Sequence, residues 1–167
     1  MDRNAIDAKY KWDLTQIFKS TEEFEACYKK AENLIEDFKK YENIMGENAK
    51  KFYETINTYY EISRVLDKLY TYTSLLSDTD TSNNTYQSLK IKVSNLLDKW
   101  SKASFFVTPT ILKKEYPEIE KYYEEEPKLK DYEIILKREF RYKEHTLSDE
   151  EEKPLSNLTK MLNNNYQ

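Results

Sequence analysis

Glycine is almost missing from this chain: Gly46 is the only one in 167 residues. Sheet proteins need many tight turns, and those turns draw on residues that tolerate positive φ. The scarcity therefore argues against a β-rich fold, and it removes any glycine-rich loop that could cradle phosphate. Proline occurs four times, which fits few connections between long helices. Cys27 is the only cysteine, so no internal disulfide can form. His145 is the only histidine, whereas a zinc site takes several His or Cys ligands. Apolar runs such as Phe105-Phe106-Val107 are far too short to span a bilayer. The N-terminal residues MDRNAIDAKYKWDL contain no apolar stretch of the kind a secretory signal needs. The lone cysteine and the missing signal together fit a reducing cytoplasm, which is the expected location.

Neither sign of charge dominates. The chain carries 27 Lys and Arg against 31 Asp and Glu, for a net charge of -4. No dense basic stripe is present to hold phosphates, so nucleic acid is not an expected partner, and neither is a membrane.

What the sequence does contain is helical periodicity. Ser20-Thr21-Glu22-Glu23 reads as a capping box, followed by Phe24, Cys27, Ala31, Leu34, Phe38 and Tyr41 at steps of three and four. Gly46 marks the end of that helix. A second helix is predicted from about Asn48 to Leu76. It carries one stripe of Phe52, Ile56, Tyr59, Leu66 and Tyr70, and another of Ile62, Val65, Leu69, Tyr72 and Leu76. Two stripes imply a central position in a bundle. Ser77 to Asn84 reads as a loop that caps a third helix bearing Tyr86, Leu89, Val93, Leu96, Leu97 and Trp100. Thr108-Pro109, Pro117 and Pro127 each suit a helix start, the last opening a helix near Lys128–Lys143. Ser148-Asp149-Glu150-Glu151 is a further capping box, for a final helix with Leu155, Leu158, Met161 and Leu162, where Pro154 sits awkwardly deep. Residues 1–19 read as irregular, with Trp12, Leu14, Ile17 and Phe18 as anchors. The expected fold is all-α: a bundle of long antiparallel helices with short connecting helices, forming one domain over residues 1–167.

Candidate chemistry is thin. His145, just before a helix cap, reads as a surface or capping residue. Cys27 lies on an apolar stripe and reads as a buried, inert thiol. Asp78, Asp80 and Ser82 occupy the first, third and fifth positions of a calcium-type loop. Asn83 then stands where glycine is needed, and Leu89 where a bidentate glutamate is needed. These side chains are better suited to closing helix ends. The runs Glu124-Glu125-Glu126 and Glu150-Glu151-Glu152 read as solvated or helix-starting acidic faces. The aromatic residues fall mostly at core spacing. No catalytic residue and no metal ligand is assigned, and the residues that touch a substrate stay open.

Three segments carry a resemblance. They are Trp12-Asp13-Leu14-Thr15-Gln16-Ile17-Phe18; Leu69-Tyr70-Thr71-Tyr72-Thr73-Ser74-Leu75-Leu76-Ser77-Asp78-Thr79-Asp80-Thr81-Ser82-Asn83 with Tyr86-Gln87-Ser88-Leu89; and His145-Thr146-Leu147-Ser148-Asp149-Glu150-Glu151-Glu152. In order and spacing they resemble the N-terminal region of oligoendopeptidase F, a zinc peptidase of the thimet-oligopeptidase type. The resemblance implies a cytoplasmic, mostly helical enzyme that cleaves short peptides inside a channel. Its zinc is held by an H-E-x-x-H helix and a later Glu, and the motif's Glu activates water. This chain contains no H-E-x-x-H, since His145 is followed by Thr146. The expectation is thus a non-catalytic wall or lid. Zinc and a C-terminal catalytic domain would lie beyond Gln167, and the chain would be inactive alone. An apolar patch on the final helix or on the helix from Asn48 to Leu76 would face that partner, or promote self-association. The reading from a different class is a free-standing helical module that binds a partner protein through an amphipathic groove.

Overall fold

A computed structural model describes residues 7–143 of the chain. Among these residues all regular structure is helical and no strand occurs. The long elements are α1 (Thr21–Phe38), α2 (Ala49–Thr79) and α3 (Asn84–Ser104). Shorter ones follow: α4 (Val107–Leu112), α5 (Tyr116–Glu125) and α6 (Glu133–Tyr142). The final helix expected around Leu155, Leu158, Met161 and Leu162, its capping box, Pro154 and His145 lie outside the described residues. The contacts divide the chain into two compact units, Met1–Thr110 and Ile111–Gln167.

The first unit is an up-down-up bundle of α1, α2 and α3. Phe24 meets Tyr72 at one end of the α1–α2 pair and Phe38 meets Tyr59 at the other, so these helices are antiparallel. Tyr59 against Trp100 and Ser77 against Gln87 fix α2 and α3 as antiparallel too. Glu25 pairs with Lys92 and Glu32 with Lys99, a constant offset along both chains, so α1 and α3 run side by side in parallel. Two turns of helix separate the two pairs, which is the spacing at which a helix face repeats.

Side-chain caps set the starts of these helices. The Ser20 hydroxyl accepts from the Glu23 N–H, while Glu23 reaches back to the Lys19 N–H at 2.8 Å. Asn48 caps α2 by accepting from Lys51 N–H, and Asn83 caps α3 by accepting from Thr85 and Tyr86 N–H. These bonds satisfy donors that have no partner within the helix. After α1 the chain tightens into a 3-10 turn, Lys39–Asn43, before Gly46. Nothing lies within 4 Å of a Cβ built on Gly46 and its φ is not positive, so the turn does not require glycine.

The buried face of α1 is Phe24, Tyr28, Ala31, Ile35 and Phe38. Cys27 and Leu34, expected on that stripe, are half-buried at its shoulder. Phe38 is fully buried beneath Trp100 at 4.8 Å and Phe106 at 5.6 Å between ring centroids. The central helix α2 buries Phe52, Ile56, Ile62, Leu66 and Leu69, together with the polar residues Thr55, Thr73 and Ser77. Thr55 and Thr73 donate to the carbonyls of Lys51 and Leu69, one turn back, which makes their burial tolerable. The hydroxyl of Ser77 bonds the Gln87 amide oxygen at 3.1 Å.

The second unit, as far as it is described, is a short helical hairpin. Its buried residues are Ile111, Ile119, Tyr123, Leu129 and Leu136. Tyr116 at the start of α5 packs edge-on against Phe140 of α6, with centroids 5.4 Å apart. Lys143 closes the same end with an ion pair to Glu115 at 2.9 Å. The helix expected from Lys128 begins instead as a 3-10 turn, Pro127–Tyr132, and becomes α-helical only at Glu133. Thr108 is not a cap either. Its helix already starts at Val107, and Thr110 N–H bonds the Phe106 carbonyl. Pro109 remains in the first turn, where its missing N–H costs nothing.

Candidate functional site

Two of the segments singled out in the sequence meet at one end of the bundle. In the first, Asp13 accepts from the Thr15 N–H and hydroxyl and from the Gln16 amide, folding residues 13–17 into a single turn. The turn delivers Phe18 into the core, where it packs edge-on to Tyr72 at 5.1 Å and to Phe24 at 5.6 Å. Lys68 Nζ lies over the outer face of the Phe18 ring at 4.3 Å. Phe18 is thus the anchor. Trp12, expected as another, is 58% exposed. Aromatic identity does not set burial here, because Trp12 precedes the turn that directs the chain inward.

The second segment forms the last turns of α2 and the α2–α3 connection. Asp80 accepts from the Ser82 N–H and hydroxyl, and Asn83 caps α3. The calcium-like spacing is therefore used for turn and cap closure. Among the described residues, no group of three or more His, Cys, Asp and Glu side chains is placed to hold a metal ion. The residues present do not fit zinc, and no step of metal chemistry can be assigned to them.

Two grooves run along the bundle. One, of about 570 Å³, lies between α1 and α3 over Ile35, Leu96 and Ala103. Its charges are matched internally, with Lys99–Glu32 at 3.2 Å and Lys39–Glu36 at 2.6 Å. The other, of about 490 Å³, lies between α1 and α2 and includes Cys27, Leu34, Ile62 and Val65. Cys27 is half-buried rather than buried. Burial pushes its thiol up from the ordinary value, and the nearby charges of Lys68 and Lys30 only offset this in part. The thiol is therefore held as the protonated, poorly nucleophilic form. Sequence reasoning missed this groove because Cys27 and Leu34 were counted as core.

In the second unit, the buried hydroxyls of Tyr116 and Tyr123 interact with each other without reaching full hydrogen-bond geometry, and burial, followed by the neighbouring Tyr116, drives the Tyr123 phenol well up. Glu124 and Glu125 are exposed, as an acidic helix end should be. Large exposed apolar side chains are dispersed over different elements: Tyr70, Ile91, Phe105 and Ile134. The apolar patch expected on α2 reduces to Tyr70, and its other expected location lies outside the described residues. No helix among the described residues is long and apolar enough to cross a membrane.

This helical architecture is shared with known proteins. A family model described as Oligopeptidase F matches residues 111–167. An oligoendopeptidase F homolog of Borreliella burgdorferi is 36% identical over 159 residues, covering 95% of this chain and 27% of that protein. Oligopeptidase PepF of Bacillus subtilis is 30% identical over 161 residues, covering 96% of this chain and 24% of its own length. The crystal structure of oligoendopeptidase-F from Enterococcus faecium superposes with a TM-score of 0.70 at 29% identity, over 84% of this chain and 27% of that one. The chain is therefore a helical member of a peptidase family. That family is oligoendopeptidase F, and this chain corresponds to its N-terminal domain. It spans about a quarter of the length of the curated relatives it matches.

Proposed function

We propose that residues 1–167 act as one N-terminal helical domain of an oligoendopeptidase F-like zinc metallopeptidase of the cytoplasm. The domain forms a wall or lid that limits which peptides reach a catalytic domain. That catalytic domain carries the zinc and is the first partner of this chain; short peptides are the second. The observation that supports the reading most is the pattern of coverage. Relatives named as oligopeptidases align with 95% and 96% of this chain, while the chain accounts for only 27% and 24% of them. The physical character of the bundle agrees. A wall needs rigidity and shape, and both come from the aromatic layers around Phe38 and Phe18 rather than from any activated group. Self-association of the isolated chain would occur through surfaces that a catalytic domain otherwise covers.

The non-catalytic half of the proposal is tested by incubating the chain with zinc and quenched fluorescent peptides of mixed sequence. No turnover above a blank is expected. Turnover abolished by a chelator would overturn it. The access-restricting half is tested in an active enzyme, where loosening this domain should relax the limit on peptide length.

A further inference from the structure

The two grooves of the first unit differ in one respect that bears on ligands. The lining of the α1–α3 groove balances the carboxylates Glu32, Glu36 and Glu42 against Lys39, Lys99 and Lys102, with Lys99–Glu32 and Lys39–Glu36 paired directly. In the α1–α2 groove, Lys30, Arg64 and Lys68 line the cleft beside Leu34, Ile62 and Val65, with Glu61 as the one carboxylate among them. None of these three cations is in an ion pair among the described residues, and Lys68 lies over the Phe18 ring. The carboxylates of Glu61 and Glu23 already accept hydrogen bonds from neutral donors. Glu61 accepts from the Asn57 amide at 3.1 Å, and Glu23 accepts from the Lys19 N–H at 2.8 Å. Three cations against one carboxylate beside an apolar floor, in a chain of net charge -4, complement a ligand with one carboxylate and one apolar side chain.

From this we infer that the α1–α2 groove binds short peptides by their C-terminal carboxylate, with the last side chain on Leu34, Ile62 and Val65. The inference rests on the reading of this chain as part of a peptide-handling enzyme and adds to it a named peptide-binding groove on this domain. Arg64 offers a planar fork suited to a carboxylate, and Lys30 and Lys68 supply further charge.

Cys27 lines the same groove and reports on its occupancy. The test measures alkylation of Cys27 in the 167-residue chain by the uncharged reagent N-ethylmaleimide, at mildly alkaline pH, with rising amounts of a short peptide ending in Leu. The free acid should protect Cys27 in a saturable way. The same peptide as its C-terminal amide should need about tenfold more for equal protection, because the charge-assisted contacts are lost. The R64Q/K68Q double variant, and K30Q as a second variant, should lose the preference for acid over amide, with circular dichroism confirming an unchanged helix content. Three results would each overturn the inference: no protection at millimolar peptide, equal protection by acid and amide, or a preference that survives both variants. None of these touches the access-restricting reading, which is decided by length selectivity in an active enzyme.

Discussion

Single residues carry unequal weight in this bundle. Phe38 is fully buried and touches Tyr41, Tyr59, Trp100 and Phe106. Phe38→Ala should cost about 3–5 kcal/mol, from lost transfer energy and the cavity left behind. A thermal or urea unfolding curve reads this directly, and a loss below about 1 kcal/mol would show that the aromatic layer is not the core. Tyr123 should behave in the opposite way. Its buried hydroxyl makes no full hydrogen bond and only a loose contact with Tyr116, so Tyr123→Phe removes a poorly satisfied polar group and should be neutral or stabilising by about 1 kcal/mol. A clear destabilisation would mean that the hydroxyl is bonded. At Cys27 the raised thiol value predicts slow alkylation at neutral pH. The rate should climb only as pH passes above the range of an ordinary thiol, because the thiolate is the nucleophile. Reactivity that levels off near neutral pH would contradict this.

At the scale of elements, the pairs Glu25–Lys92 and Glu32–Lys99 tie α1 to α3 at distances of 2.7 and 3.2 Å. Both pairs are more than a third exposed, so each should contribute about 0.2–1 kcal/mol and weaken with salt. The Glu25→Lys change alone should destabilise, and adding Lys92→Glu should restore most of the loss. Additive losses in the double variant would show no coupling between the two sites. How far such elements were legible in the sequence depended on the residue types involved. Periodicity found all three long helices, the capping box supplied Ser20, and the polar run from Ser77 to Asn84 supplied a cap for α3, although α2 continues through Thr79 before the chain turns. It misplaced part of the buried face of α1, because apolar residues stand at both 27 and 28 and at both 34 and 35, and a step of one residue rotates a helix by about 100°. Tyr28 and Ile35 took the core positions. Thr55, Thr73 and Ser77 were not legible as core because their burial depends on hydrogen bonds that residue type does not reveal. Trp12 misled in the other direction. The run after Pro127 read as one helix because propensity does not separate a 3-10 turn from the start of an α-helix.

For the whole molecule, the described residues form helices packed through aromatic layers. The candidate site was less legible than the fold, since the α1–α2 groove owes its character to unpaired cations and a half-buried thiol that pairing in three dimensions defines. The three resembling segments proved more informative about family than about chemistry. Two of them became a turn, a clasp and a helix cap, which are devices for holding shape. In the proposed role, the domain acts on catalysis by deciding what can approach, so its contribution should appear in selectivity rather than in the chemical step. The most direct measurement replaces the matching quarter of Bacillus subtilis oligopeptidase PepF with this chain and compares that chimera with the same chimera carrying Phe38→Ala. The readout is kcat/KM over peptides of graded length. The account predicts that the intact chimera cleaves short peptides and rejects long ones, while Phe38→Ala raises cleavage of long peptides relative to short ones. An unchanged length profile, in a chimera whose helical domain is demonstrably loosened, would contradict it.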